Sequence, residues 1–275
     1  MALDQVDVDK LDQKGEKEMS FLEHLEELRW HIIRSLIVIT TVGIVFFLFH
    51  NLLFDLIIFG PTHADFPTYR LFCSISDSLC FSPPEFTKQA IGFGESFIIS
   101  IKASFVLGFI VAFPFVFWEF WRFIRPGLYA KERKAARGIV FVCSLLFLTG
   151  VLFGYFVIAP FAVNFLMGYT IPGVENMPTV SSYITYMIMF TAPAGLVFEL
   201  PVIVYFLSKA GLVTPEFMRK YRRHSFVIIL VLAAIITPPD VVTQLLIGMP
   251  LYVLYEVSII ISARVVAKEE AEMAS

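Results

Sequence analysis

The chain has 275 residues, of which 57% are hydrophobic and 16% are charged, and its mean hydropathy is +0.77. A soluble domain typically carries roughly 45–50% apolar and about 25% charged residues. The composition therefore excludes a water-soluble globular domain, and the same high hydrophobicity excludes intrinsic disorder. With a formal net charge of only −3, the chain is interpreted as a multi-span membrane protein, and no nucleic-acid partner is expected.

Six apolar segments follow one another along the chain and predict membrane-spanning helices, because a helix needs about 20 predominantly apolar residues to cross a bilayer. They cover residues 32–49, 96–118, 138–166, 182–208, 225–237 and 241–263. The alternating pattern of a barrel strand does not occur in these segments. We therefore predict an all-α membrane protein, a six-helix transmembrane bundle with kinked helices and two short C-terminal spans.

The fifth predicted span is unusually short. Residues 225–236 would extend about 18 Å as a helix, whereas the hydrocarbon core of a bilayer is ~30 Å thick. Either the bilayer thins beside this helix, or residues 221–224 lengthen it and reach the interface. The sequence leaves both alternatives open.

The orientation follows from the distribution of Lys and Arg among the short loops. Six of these residues lie in the loop 122–137 and five in the loop 209–223, whereas the loop 167–181 has none. The basic loops are expected on the cytoplasmic side, which makes both termini cytoplasmic (N-in/C-in). Residues 1–19 are then a polar cytoplasmic tail, residues 20–263 the membrane domain, and residues 264–275 a C-terminal cytoplasmic tail.

The long outer loop between the first two predicted spans contains Cys73 and Cys80. In an oxidising compartment the two cysteines can form a disulfide. Two free thiols are the alternative, and the sequence does not decide between them.

Motifs of enzymatic chemistry do not occur in the sequence. There is no nucleophile elbow, no metalloprotease helix, no phosphate-binding Gly-rich loop and no Cys/His cluster at metal-ligand spacing. We therefore expect no catalysis, no cofactor and no metal. A small-solute transporter is the alternative function and an intramembrane enzyme a further one, although transporters ordinarily show broken helices in two related halves, and no internal repeat is evident.

Three acidic residues lie where a membrane protein would ordinarily not place them. Glu27 belongs to an amphipathic helix that a capping-box pattern starts at residue 20, and Glu132 is the only acid in the basic loop 122–137. Carboxylates at headgroup depth indicate a site for a cationic partner, because a guanidinium forms two parallel hydrogen bonds with one carboxylate. Glu199, about 15 Å inside its predicted helix, is either functional or a protonated carboxyl group bonded to a neighbouring helix.

Several ordered motifs together resemble one family. Residues 20–29 read SFLEHLEELR, residues 120–129 read FWRFIRPGLY, residues 198–201 read FELP, and residues 237–241 read TPPDV. These stretches are similar to the TatC family, the signal-peptide receptor subunit of the twin-arginine protein translocase. The resemblance covers nearly the whole chain except residues 61–95, where this sequence carries an apparent insertion with both outer cysteines.

The resemblance implies that folded cargo proteins bearing an Arg-Arg signal peptide dock on the cytoplasmic face of the inner membrane. Glu27 and Glu132 match the carboxylates that hold the arginine pair, and Arg29 and Phe123 match supporting positions on that face. It further implies self-association, small single-span partners of the TatA and TatB type, and export driven by the proton gradient. Glu199 matches the contact with a partner helix and Asp240 the last outer turn.

Overall fold

The computed structural model describes residues 21–75, 80–83, 88–124, 136–173, 176–236 and 241–274. Within these ranges the chain is helical and has no β-strand, only an isolated bridge between Gln89 and Thr179. The prediction of an all-α fold is confirmed.

The described helices are numbered in chain order. They are α1 (Phe21–Leu48), α2 (His50–Leu52), α3 (Pro67–Ile75), α4 (Glu95–Ile124), α5 (Ala136–Phe153), α6 (Ala159–Gly168), α7 (Val180–Val197), α8 (Leu200–Lys209), α9 (Pro215–Lys220), α10 (Arg222–Ile236) and α11 (Val241–Ala274). A π-helical segment, Gly154–Ile158, joins α5 to α6, and another, Leu53–Ile58, follows α2.

Five helical stretches of the described chain are long and apolar enough to cross a membrane. They are His24–Leu48, Glu95–Ile124, Gly138–Gly168, Val180–Lys209 and Gln244–Ala271. Each overlaps one of the predicted spans, so the chain is a multi-pass membrane protein. The remaining predicted span corresponds to α10, which has 15 residues and begins at Arg222. Residues before position 225 therefore do lengthen this helix, which at about 22 Å is still shorter than a usual span.

The last helix is longer than predicted. α11 has 34 residues and continues to Ala274, beyond residue 263, where the predicted apolar span ends. After residue 263 the sequence becomes charged but stays rich in Ala and Glu, which are good helix formers. The fall in hydropathy ends the apolar stretch without ending the helix.

The fourth predicted span is interrupted in the middle. α7 ends at Val197, a turn contains Glu199, and α8 begins at Leu200. Pro201 lies in the first turn of α8, where a missing N–H group is tolerated. The predicted kink thus occurs beside Glu199, and Pro193 is accommodated inside α7.

The loop between α1 and α4 forms a cap on one end of the bundle. Its π-helical segment is fixed by two tyrosines, since the Tyr155 hydroxyl donates to the carbonyl oxygen of Ile57 at 2.5 Å and the Tyr183 hydroxyl to that of Ile58 at 2.9 Å. The cap is therefore anchored to α7 and to the π-helical turn before α6.

Cys73 and Cys80 of the cap are joined by a disulfide bond in the structure. Next to it, the ring of Phe81 packs against that of Phe161 in α6, with centroids 4.6 Å apart. The disulfide therefore crosslinks the inserted segment next to the residue through which this segment contacts α6.

α1 and α4 approach each other closely at a pair of glycines. A Cβ atom on Gly108 would lie 2.8 Å from the backbone nitrogen of Gly43 and 2.8 Å from the carbonyl oxygen of Ile39. Small residues allow such close backbone packing between membrane helices. Because both neighbours are backbone atoms of α1, a side chain at position 108 would push the two helices apart.

We expect Gly108→Ala to lower the free energy of unfolding by about 1–3 kcal/mol through overpacking. Thermal unfolding of the purified chain in detergent measures the effect. Gly138→Ala is the matched control, because a Cβ atom there meets nothing within 4 Å. Equal unfolding temperatures for the two variants would contradict the close contact.

Candidate functional site

The first part of the candidate site is an aromatic contact between the start of α1 and the end of α4. The ring of His24 stacks on that of Phe123 at 4.3 Å with an interplanar angle of 19°. The ring of His31, two turns further along α1, meets the same Phe123 edge-on at 6.1 Å. Phe123, which the resemblance assigned a supporting role, therefore packs directly against the segment of α1 that carries Glu27.

Glu27 lies between the two histidines in sequence, and helical spacing places it on the same side of α1. Its side chain is half-buried, and its Oε2 atom is buried without a hydrogen-bond partner among the described residues. An unsatisfied carboxylate oxygen is costly in a folded protein, which suits a donor supplied by a ligand. Arg29 is exposed on another side of the helix.

A buried ion-pair cluster lies one to two turns further into the bundle. The Nδ1 atom of His31 is 2.5 Å from Oε2 of Glu119 in α4, and the side chains are only 6% and 3% exposed. The guanidinium of Arg34 approaches Oε2 of the same carboxylate at 3.8 Å, and that of Arg122 approaches Oε1 at 3.9 Å. Glu119 thus links α4 to α1 one helical turn further along α1 than Glu27.

Sequence reasoning missed this cluster. His31, which directly precedes the first predicted span and was not singled out, is buried at 5% exposure. Glu119 ends the uncharged run of the second predicted span, and its spacing of four residues from Phe123 was the available signal. Residues at i and i+4 share a helix face, so Glu119 and Phe123 had to face the same neighbour.

Glu199 lies deeper in the bundle than this site. It is 7% exposed, and neither carboxyl oxygen has a hydrogen-bond partner among the described residues. The buried thiol of Cys143, a weak donor, faces it from α5. The ring of Phe206 packs against that of Trp121 near the end of α4, which is the level of the His31–Glu119 cluster. Phe206 follows Glu199 by seven residues, so Glu199 lies about 10 Å from that level along the helix axis. Glu199 therefore lies apart from the first part of the candidate site.

Two predicted residues fall outside the described part of the chain. Glu132, the second carboxylate of the predicted arginine site, falls within residues 125–135, and Asp240 falls within residues 237–240; neither range is among the described residues. The described residues bring together Glu27 and Phe123 and leave Glu199 apart from them.

Comparisons with known proteins agree on one family. The family model described as Sec-independent protein translocase protein (TatC) matches residues 23–250. The chain is 39% identical to the Sec-independent protein translocase protein TatC of Blattabacterium sp. subsp. Periplaneta americana, over 93% of this chain and 100% of that protein. It is 31% identical to TatCy of Bacillus subtilis, over 94% of each.

A solved structure is also similar. The crystal structure described as twin arginine translocase receptor TatC in DDM matches with a TM-score of 0.68 and 35% identity, covering 87% of this chain and 99% of that one. The similarity therefore extends to the arrangement of the helices.

The buried pair yields a prediction about stability. We expect His31→Ala to lower the free energy of unfolding by about 3–5 kcal/mol, because it leaves the Glu119 carboxylate buried without its close partner. The double variant His31→Leu/Glu119→Met should recover most of this loss, since an apolar pair of similar volume removes the uncompensated charge. Thermal unfolding in detergent measures both, with exposed His50→Ala as the control. A double variant that is no more stable than His31→Ala would contradict the role of the pair.

Proposed function

Because the chain belongs to the TatC family, we propose that it is the receptor component of a twin-arginine translocase and binds the Arg-Arg signal peptides of folded cargo proteins. The observation that carries the proposal is the buried Oε2 atom of Glu27, which has no hydrogen-bond partner among the described residues and lies on the side of α1 where His24 and His31 contact Phe123. A guanidinium is the natural donor for such an oxygen, because it offers paired N–H groups and a charge that cannot be lost.

The second arginine of the signal is assigned to Glu132, on the loop that connects α4 to α5. This assignment rests on the family motif, and Phe123 supports it by holding the end of α4 against α1. Arg29 is proposed as a supporting residue of the same face, where its exposed guanidinium can meet the acidic or carbonyl groups of the peptide.

The proposed topology has six spans, with α10 as the short fifth one, and both termini on the cytoplasmic side of the inner membrane. The basic loops 122–137 and 209–223 support this orientation through their Lys and Arg content. Residues 1–19 and 264–275 are then the cytoplasmic tails of a membrane domain that covers residues 20–263.

Glu199 is proposed as the contact for small single-span partners of the TatA and TatB type. Its burial and its unpartnered oxygens support a polar contact across helices, a form of interhelical attraction worth ~0.6–2 kcal/mol. Asp240 is assigned to the last turn on the opposite side, self-association is expected of the complex, and the proton gradient is the proposed energy source.

We expect Glu27→Gln to weaken binding of an Arg-Arg signal peptide at least 30-fold, since truncating one partner of a desolvated charge pair costs about 2–5 kcal/mol. Binding of a labelled peptide to the chain in nanodiscs measures this. Glu132→Gln should have a similar effect, and a Lys-Lys peptide should bind weakly to all forms.

The matched control for Glu27 is Glu26→Gln, because Glu26 is exposed on the same helix. It should change the affinity less than threefold. In the free chain Glu27→Gln should not lower the unfolding temperature, because it removes a buried oxygen that has no partner among the described residues. Unchanged affinity in Glu27→Gln would refute the assignment of this carboxylate.

For Glu199, a photo-crosslinker at position 199 should capture a single-span partner helix in native membranes. The same crosslinker at position 203, which is exposed on α8, serves as the control for lipid-facing contacts. Capture of lipid alone from position 199 would argue against the partner contact.

A further inference from the structure

Two arginines and two tryptophans form a half-exposed group on α1 and α4. Trp30 and Arg34 are four residues apart on α1, and Trp118 and Arg122 are four residues apart on α4, so each pair shares one side of its helix. The side chains of Arg34 and Arg122 are 49% and 53% exposed, and Trp30 and Trp118 are 54% and 48% exposed. Trp30 and Arg34 follow Glu27 by three and seven residues, so they lie on the same side of α1 as Glu27, one and two turns further along the helix.

The two pairs lie on the same side of the helix pair. α1 and α4 run antiparallel and meet at His31 and Glu119. Arg34 follows His31 by three residues and Arg122 follows Glu119 by three, so each arginine is rotated by the same angle about its helix axis from the residue that faces the other helix. Because the two helices are antiparallel, equal rotations in the chain direction bring both side chains to the same side of the helix pair. The distances agree, because Arg34 and Arg122 approach the two different oxygens of one carboxylate.

The Glu119 carboxylate does not satisfy these arginines. Distances of 3.8 and 3.9 Å from their Nη1 atoms exceed the length of a hydrogen bond. The carboxylate is engaged instead by His31 at 2.5 Å. Two guanidinium groups beside a single carboxylate leave at least one positive charge in excess, at a place where both can reach an external anion.

We propose that Arg34 and Arg122 form a binding site for the phosphate group of an anionic phospholipid. A guanidinium fork matches phosphate oxygens, and basic pockets between membrane helices bind anionic headgroups. Tryptophans favour the headgroup level of a membrane, which is the depth that this proposal gives Trp30 and Trp118.

An acyl chain has a path on the same side. Ile37 follows Trp30 by seven residues and Val111 precedes Trp118 by seven, so both continue the two faces into the membrane. They are 58% and 53% exposed. The site therefore combines phosphate donors with an apolar surface, which suits a lipid better than free phosphate. The site is separated from Glu27 along the helix axis, since Arg34 lies seven residues, or about 10 Å, further along α1.

The experiment uses the full chain in vesicles of phosphatidylcholine that contain either brominated phosphatidylglycerol or brominated phosphatidylcholine. Bromine quenches the fluorescence of nearby tryptophans, so quenching reports which lipid occupies the site beside Trp30 and Trp118. Trp121, the third tryptophan, is 3% exposed and adds a constant background. We expect phosphatidylglycerol to be preferred, and the preference to fall about fivefold for each of Arg34→Gln and Arg122→Gln.

Arg264→Gln is the matched control, since Arg264 is exposed on α11, and it should leave the preference unchanged. Equal quenching by the two lipids, or a preference that survives Arg34→Gln/Arg122→Gln, would overturn the proposal. Loss of the preference on adding inorganic phosphate at constant ionic strength would assign the site to free phosphate instead. The measurement contains no signal peptide, so its failure and that of the proposed receptor function are distinguishable.

Discussion

The buried contact between His31 and Glu119 is the constraint on which the candidate site depends. Two ionisable side chains at 6% and 3% exposure are stable in such a place only as a pair, because each would be costly to desolvate alone. The pair fixes how far α1 and α4 slide past each other, while Gly43 and Gly108 fix how closely they approach. Phe123 and Glu27 take their positions from that register.

Three glutamates of the bundle illustrate how environment separates roles. Glu119 has a partner within hydrogen-bond distance and is buried, so it serves the structure. Within the part of the chain that the structure describes, Glu27 has a buried oxygen without a hydrogen-bond partner near the end of a helix, and Glu199 has two such oxygens deep in the bundle. Unsatisfied buried acceptors are unfavourable in the free protein, and binding of a donor removes this cost. The two unpartnered acids are therefore the ones assigned to ligands, a signal arginine and a partner helix respectively.

Much of the fold could be predicted from the sequence because hydropathy and proline positions act locally. The long apolar helices of the structure coincide with the apolar segments of the sequence, and the break between α7 and α8 beside Glu199 follows from Pro201. The end of α11 could not be read from hydropathy, because a helix can continue after its residues become polar. Whether Cys73 and Cys80 pair also depends on geometry, which the described cap supplies.

The site was only partly predictable for a different reason. Glu27 was singled out as an acid in an amphipathic helix at headgroup depth and Phe123 through a family motif, in both cases without the distance between their helices. The His31–Glu119 pair joins residues 88 positions apart, and its existence depends on the register of two helices that no local pattern specifies. Of the two arginines beside the pair, Arg122 was counted only among the basic residues of the loop 122–137 and Arg34 was not singled out, because nothing in the sequence indicates that they share a carboxylate.

The most direct test of the receptor account is a double-mutant cycle between Glu27 and each arginine of a signal peptide. Affinities are measured for the unchanged chain and Glu27→Gln, each with Arg-Arg, Gln-Arg and Arg-Gln peptides, because glutamine removes the charge of the arginine that it replaces. A direct charged contact predicts a coupling energy of at least about 1.5 kcal/mol with one arginine and little with the other. Coupling near zero with both arginines would contradict the claim that this carboxylate grips the signal.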